Sequence, residues 1–407
     1  MFTYPLNIGL IAETKLPPDK RVVLSPKQCA AIQQAHPELK FWVQSSEIRT
    51  FSNQEYLNEG IQVVDDLNHC ELLLGVKEVA VNALIPNKTY MFFSHTFKKQ
   101  AANKALLRAI LDKHIRLIDW ELLTDESERR LIGFGKYAGI VGAYNGLLAW
   151  GLLKNSFSLK PANQLFDRSE MRKELEKVRL PNNFKLVTTG RGRVASGILE
   201  VLRDLGMREV RALDFLMQTF NEPVFTSLGV QDYVRRLDGR VFRNADFYAN
   251  PEQFESAFTP FTKVAHLYIS GHYWEKGSPI FFDKHDVQAP DFSVELVADV
   301  SCDVEGPIAT TLRTSTIAEP LYGYNRFTGD EVKFGSTNSV GVMAVDNLPC
   351  ELPRDASEDF GKEFIFNILP HFFNGDAESV LNKAMETEGG TLTNDFKYLS
   401  DYVGLVV

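Results

Sequence analysis

Lys185-Leu-Val-Thr-Thr-Gly190-Arg-Gly192-Arg-Val-Ala195-Ser-Gly197 decides the fold, because an apolar run there enters a glycine turn and leaves as a helix. Strand, glycine turn and helix in that order form a dinucleotide-binding turn. Gly190 permits the tight turn, Gly192 lets backbone N–H groups approach a pyrophosphate, and Ala195 is small enough for a helix over 196–205 to lie close on the sheet. The phosphates then rest at a positive helix end, contacted by the backbone of Arg193 and Val194 as well. A second apolar run, Glu209-Val-Arg-Ala-Leu213, ends in Asp214. That is about twenty residues on, where a carboxylate that binds the ribose 2′-hydroxyl belongs. On this spacing NAD is the expected cofactor. Arg191, Arg193 and Arg211 could neutralise a 2′-phosphate, so NADP stays open.

A dinucleotide fold usually opens a domain, so a fingerprint that begins near residue 185 of 407 implies a folded unit ahead of it. The length suggests about two to three domains, and with 44% hydrophobic and 24% charged residues each can bury a core. The net charge of −9 argues against nucleic-acid or anionic-membrane partners, and an acidic protein that handles anions must gather its cations locally. Cys29, Cys70, Cys302 and Cys350 are scattered without metal-ligand spacing, so no metal site and a reduced, cytoplasmic setting are expected. The first ten residues lack a basic leader pattern, and no stretch reaches the roughly eighteen apolar residues of a membrane span.

Strand-like runs at 7–12, 41–44, 72–76, 90–93 and 115–119 alternate with helix-like runs at 26–35 and 100–113, which predicts a parallel α/β sheet. Residues 134–154, rich in Ala, Gly and Leu, predict a long buried helix between two lobes. Strands at 264–270 and 295–300 complete the second lobe. After Pro320 a loop at 322–330, a strand at 340–345 and helices at 356–366 and 377–387 are expected to return to the first. The expected domains are therefore 1–134 with about 320–407 for substrate, and 135–319 for the dinucleotide.

Gly75-Val-Lys77-Glu78 follows one strand-like run, and Ser94-His95-Thr-Phe-Lys98 follows the next. Ligands of open α/β sheets bind past such strand ends. An isolated histidine is often structural, but Lys77 after the neighbouring run gives His95 a partner for proton transfer. Arg21 stands before the helix that Pro26 opens, and Glu121 and Arg130 follow the run ending at Asp119. Arginine clamps carboxylates with two donors and a buried lysine titrates, so this inventory suits a substrate with several carboxylates. Asp299 and Asp303, after the strand at 295–300, could meet an ammonium group or the cofactor.

Taken together, these motifs resemble saccharopine dehydrogenase of the lysine-forming type. They are still more similar to the lysine-ketoglutarate reductase half of the animal bifunctional enzyme, within the alanine dehydrogenase and transhydrogenase superfamily. The resemblance runs nearly end to end, through Ala12-Glu-Thr-Lys15, Arg21-Val-Val-Leu-Ser-Pro26, Gly75-Val-Lys77, the fingerprint, Gly271-His-Tyr273-Trp-Glu275, residues 298–306, and Asp346-Asn-Leu-Pro-Cys-Glu-Leu-Pro353. It implies two Rossmann-like lobes, each a mainly parallel sheet flanked by helices, with the active site in the cleft between them. It further implies that Lys77 and His95 are the acid–base pair, that Arg21 and Arg130 bind carboxylates, and that Lys15, Glu78, Lys98 and Glu121 support them. Implied substrates are saccharopine, L-lysine and 2-oxoglutarate. Thr189 stands where relatives often carry glycine, and Val194 replaces a cysteine of the fungal enzymes. An alanine dehydrogenase-like enzyme and a nonenzymatic nucleotide-sensing module remain the competing readings, and the oligomeric state stays open.

Overall fold

The computed structural model describes residues 2–15 and 17–404. The chain divides into two compact units, Met1–Phe134 with Pro353–Val407, and Gly135–Leu352.

In the first unit, β1 (Leu6–Leu10), β2 (Leu39–Gln44), β3 (Gln62–Val64), β4 (Leu72–Leu74), β5 (Thr89–Phe92) and β6 (Arg116–Asp119) pair in parallel, in the order β6-β5-β4-β1-β2-β3. Parallel strands covered on both faces read as unbroken apolar runs, as Leu72-Leu73-Leu74 does. Leu72 and Leu74 face the core closed by Cys29 and Ile32 of helix Pro26–Ala35, while Leu73 faces the opposite core under Leu106 and Ile110 of helix Lys104–Asp112. The chain leaves β1 toward β2 and returns on its other side as β4. That reversal opens a crevice at the strands' carboxyl ends.

The second unit is built around the fingerprint strand, β7 (Lys185–Thr189). Next come β8 (Arg208–Glu209), β9 (Val224–Leu228), a ribbon of β10 (Val234–Arg236) with β11 (Phe254–Ser256), β12 (Leu267–Ser270), β13 (Leu296–Asp299), β14 (Leu321–Asn325), β15 (Glu331–Val332) and β16 (Ser339–Met343). Its eight-stranded sheet runs β15-β14-β16-β13-β12-β7-β9-β8, parallel from β16 to β8, with β14 and β15 antiparallel at one edge. The expected return near residue 320 thus comes at Pro353 instead, because β14 to β16 extend this sheet. The stretch 322–330, expected as a loop, is largely a hairpin whose Tyr322 and Tyr324 are both buried. Pro320, Gly323 and Gly329 disguised it.

The apolar run at 209–213, expected to lead Asp214 to the ribose, is also corrected. Only Arg208–Glu209 is extended, and Ala212–Met217 is a short helix with Asp214 in its first turn and Phe215 buried beneath it. A short apolar run does not distinguish strand from helix, and an acid in the first turn favours the helix. Helix Gly135–Lys154 lies in this unit and crosses the fingerprint helix Arg193–Asp204. The run at 377–387 is helical only at Val380–Lys383, after which β17 (Met385–Glu388) pairs antiparallel with β6 in the first unit and turns into β18 (Thr391–Leu392).

The helix crossing in the second unit is backbone against backbone: a Cβ on Gly139 would lie 1.9 Å from the Val194 carbonyl oxygen, and one on Gly197 would lie 2.0 Å from that of Lys136. Alanine gains up to about 1 kcal/mol of helix propensity, but overpacking of this kind costs about 1–3 kcal/mol. Gly139→Ala and Gly197→Ala should therefore both lower Tm by several degrees in a thermal melt. Gly192→Ala, where a Cβ meets nothing within 4 Å, should leave Tm nearly unchanged.

Candidate functional site

In the first unit, polar groups gather past the carboxyl ends of β1, β4, β5 and β6, where burial between the helices ends. Glu13, just beyond β1, accepts the backbone N–H groups of Val76 (2.6 Å) and Lys77 (2.9 Å). It thereby fixes the main chain that carries Lys77. Burial pushes its carboxyl up to about 7. A cavity of about 270 Å³ opens beside it, with Ile11, Lys77, Glu78 and Tyr90 among its walls. Sequence reasoning missed Glu13, although an acid directly after an apolar strand was a usable signal.

Two carboxylates organise the expected cations. Glu78 binds Lys15 at 2.6 Å and His95 Nδ1 at 2.7 Å. Burial opposes its ionisation, but these hydrogen bonds win and hold it at about 2. An ionised Glu78 keeps the imidazole proton on Nδ1, which leaves Nε2 to exchange protons. Glu121 likewise binds Lys98 at 2.8 Å and Arg130 at 2.5 Å, and is held below its ordinary value by them against the cost of burial. His95 bears on Glu121 electrostatically, and Lys77 bears on Asp19. Arg21 is differently placed. It is 3% exposed, forks onto Asp19 at 3.0 and 2.6 Å, and lies 4.1 Å from the centre of the Phe134 ring. Burial pushes Asp19 up, but Arg21 outweighs it and sets the carboxyl at about 2.

His95 itself has φ +53, a left-handed conformation that its neighbours must enforce. Beneath it Ser94, Thr96, Asp119 and Glu386 form a closed cluster. Ser94 Oγ lies 2.6 Å from Asp119, 2.9 Å from Glu386 and 2.6 Å from Thr96 Oγ1, and Thr96 Oγ1 lies 2.7 Å from Glu386. These are four short O···O contacts. The two hydroxyls supply two protons, so a neutral Glu386 supplying a third satisfies the cluster best. Burial, then Asp119, pushes Glu386 up to about 8. The register of β17 on β6 slips between Met385 and Thr387, and this bulge carries Glu386. Bulges re-aim a side chain in this way. No sequence spacing linked Glu386 to His95, because the contact closes across 290 residues between Thr96 and Glu386.

In the second unit the fingerprint makes a tight cradle. Gly190 has φ +102, and a Cβ there would lie 2.2 Å from the Gly271 carbonyl. Gly192 caps helix Arg193–Asp204 with open space beside it, and Ala195 is buried in the first turn of that helix. Arg193 and Val194 occupy its first turn, so backbone N–H groups and a helix end are offered together, as a pyrophosphate requires. Thr189 turns its hydroxyl to Tyr268 (3.0 Å) and His272 (2.9 Å), tying β7 to β12. Tyr273 is exposed. Asp299 is fully buried and engaged by Ser270, Ser301, the Cys302 N–H and Thr311, so it shapes the loop after β13. Asp303 is pushed up to about 6 by burial and by Asp299. Asp214 does not end a strand beside the cradle: it pairs with Arg211 at 2.7 Å, beyond β8. Among the described residues no group of three or more His, Cys, Asp or Glu could hold a metal ion, and no helix is long and apolar enough to cross a membrane.

Residues 9–141 match the family described as alanine dehydrogenase/PNT, N-terminal domain. The chain is 27% identical to the α-aminoadipic semialdehyde synthase of Arabidopsis thaliana, covering 96% of this chain and 41% of that protein. It is 28% identical to the mitochondrial α-aminoadipic semialdehyde synthase of Mus musculus, over 94% and 46%. It thus spans under half the length of these relatives. The saccharopine dehydrogenase [NAD(+), L-lysine-forming] of Candida albicans is 25% identical, over 90% of this chain and 92% of that one. Among solved structures an L-alanine dehydrogenase superposes with a TM-score of 0.63 at 16% identity, covering 98% and 99% of the two chains. The transhydrogenase of Sinorhizobium meliloti gives 0.58 at 13%, over 95% and 98%. Residues 9–141 therefore match the alanine dehydrogenase/PNT N-terminal domain, the whole chain shares the fold of the alanine dehydrogenase and transhydrogenase structures, and it is similar over most of its length to proteins named saccharopine dehydrogenase and α-aminoadipic semialdehyde synthase.

Proposed function

We propose that this protein is a nicotinamide-dependent oxidoreductase of lysine metabolism that interconverts saccharopine with L-lysine and 2-oxoglutarate. The observation that carries the proposal is the charged set after β4, β5 and β6, in which Lys15–Glu78–His95 and Lys98–Glu121–Arg130 accompany Lys77. Saccharopine offers three carboxylates, a primary ammonium and a secondary amine. A set of cations already paired with carboxylates can exchange those partners for a substrate carrying both signs. Gly190, Gly192 and the helix end they open would hold a nicotinamide dinucleotide, which would supply the hydride exchange that the reaction needs.

In the oxidative direction a neutral Lys77 accepts the secondary-amine proton as the glutarate α-carbon gives up its hydride, and the two losses together leave a C=N bond. The resulting imine must take up water and release lysine, and His95, with Nδ1 held by Glu78, gives and takes the protons of those steps through Nε2. Two groups with different surroundings serve two proton transfers better than one. We assign the carboxylate clamp to Arg130, whose side chain is 45% exposed, while Arg21 serves the buried pair with Asp19. Four unbridged cysteines suit a reducing compartment, with the cytoplasm our assignment.

Turnover of lysine plus 2-oxoglutarate with reduced cofactor is the primary test. Activity only with pyruvate and ammonia would favour an alanine dehydrogenase, and binding without turnover a sensor. Lys77→Met and His95→Gln should each lower kcat by about a hundredfold or more while leaving cofactor affinity unchanged. Near-normal kcat in both would end the assignment.

Arg130→Ala should raise KM for the organic substrates and leave Tm alone. Arg21→Ala should chiefly lower Tm, because it strands a buried carboxylate at a cost of about 3–5 kcal/mol. Equal Tm for the two variants would contradict this division.

Glu386→Gln keeps both a donor and an acceptor and should retain kcat, whereas Glu386→Ala, which leaves buried hydroxyls unpaired, should lower kcat more than it changes KM. The carboxyl's folded value, about 8, lies above its unbound 4.5. Its contribution to stability is therefore complete below about pH 4.5 and lost as pH rises toward 8. Melts of wild type and Glu386→Gln should accordingly diverge in the variant's favour over that range.

A further inference from the structure

A second cavity, of about 940 Å³, lies wholly within the second unit, and among the described residues none of the fingerprint lines it. Helix Gly135–Lys154 forms one wall. Asn145, Leu148 and Leu152 follow one another at steps of three and four residues, so one face of the helix carries all three into the cavity. Gly139, packed against Val194 of the fingerprint helix, belongs to a different face. A further wall comes from the antiparallel edge of the sheet: Leu321 on β14, Val332 on β15 and Phe334 just beyond. Small-molecule sites enclose roughly 300–1,000 Å³ behind mostly apolar walls, with a few polar groups that fix the ligand. One such group here is Glu351, 4% exposed in the helical turn Leu348–Glu351. Its Oε1 accepts from Asn145 Nδ2 at 2.8 Å, and the Asn163 backbone donates to the same carboxyl. Burial outweighs both and pushes the carboxyl up to about 7. The proton transfers assigned to Lys77 and His95 make no use of it.

We propose that this cavity binds an organic ammonium, a protonated amine on an apolar body, with the charge on Glu351 and the body along Leu148, Leu152, Leu321 and Phe334. An ionised carboxylate accepts at about four positions, so two donors leave Glu351 room for a third. The charges around it favour a cation. Arg313 and Glu331 engage each other through two hydrogen bonds, at 2.7 and 2.8 Å, and cancel. Glu319 and Glu351 then stand against Lys333, which leaves the lining one negative charge in excess. A neutral ligand that displaced water would strand the carboxylate, and an anion would enter a lining that is already negative. This inference is independent of the oxidoreductase reading, because it uses neither the first-unit charges nor the glycine turn.

The test uses the full chain and the probes n-hexylamine, 1-hexanol and hexanoate, titrated by calorimetry at about pH 8, where the amine is protonated and Glu351 is ionised. The amine should bind at least about tenfold more tightly than the alcohol, as a charge-assisted hydrogen bond provides, and hexanoate should bind most weakly. Glu351→Gln keeps an acceptor for Asn145 and Asn163 and should erase the preference for amine over alcohol. Leu148→Trp, which fills the cavity from the helix side, should remove binding of both. Glu78→Gln, among the first-unit charges, should leave amine binding unchanged. Equal binding of amine and alcohol, no binding of the amine, or a preference that survives Glu351→Gln overturns the inference. So does amine binding that persists in Leu148→Trp or disappears in Glu78→Gln, since either places the amine elsewhere on the chain.

Discussion

A parallel strand buried on both faces can carry charge only where it ends, and this constraint governs both units. β4 and β5 are buried at every residue. A charged group within them would face apolar side chains from a helix on either side, at a cost that no partner there offsets. Lys77, Glu78, His95 and Glu121 therefore follow their strands instead of lying in them. The same constraint makes the fingerprint turn the first place after β7 where backbone N–H groups face away from the sheet, so both units present their chemistry at carboxyl ends.

The charges that collect there are not independent. Glu78 draws Lys15 and His95 together, Glu121 draws Lys98 and Arg130, and Asp19 engages Arg21 with Lys77 nearby. Like-charged groups crowded at strand ends would repel one another; interleaved carboxylates offset that repulsion and fix side-chain directions. Orientation matters most for His95, whose tautomer follows from an ionised Glu78. A carboxylate that loses its charge would free the ring, and the hydrogen bonds from His95 and Lys15 hold Glu78 at about 2.

Much of this was legible in the sequence because it depends on short spacing. The strand runs ending at Leu74, Phe92 and Asp119, and the glycines 190 and 192, set their neighbours' positions within a few residues, so Lys77, Glu78, His95 and Glu121 each follow a strand end closely. The errors share a different origin. Asp214 was read at the distance usual between a fingerprint and its ribose carboxylate, but a short helix and a further loop intervene before the true neighbour strand, β9. Linear spacing measures chain, and sheet order is set by pairing. The hairpin at β14 and β15 was hidden because its turn residues and its buried tyrosines alternate within a single short stretch.

The contact of Glu386 with Ser94 and Thr96 marks a different limit on sequence reading. The matched N-terminal family domain, residues 9–141, contains every charged group that the proposed chemistry uses in the first unit. It omits the carboxylic acid that holds the His95 loop from below, which arrives on β17 after the whole second unit has been traversed. The left-handed backbone at His95 needs a rigid support, and local sequence does not supply one: Ser94 and Thr96 offer two hydroxyl protons for four short contacts. A third proton comes from a bulged strand, and the bulge is possible because β17 pairs antiparallel along the edge of an otherwise parallel sheet. Edge pairing by the returning chain thus does two things at once. It covers β6, which would otherwise expose its hydrogen-bonding groups, and it brings a neutral acid to the place where the acid–base loop is least able to hold itself.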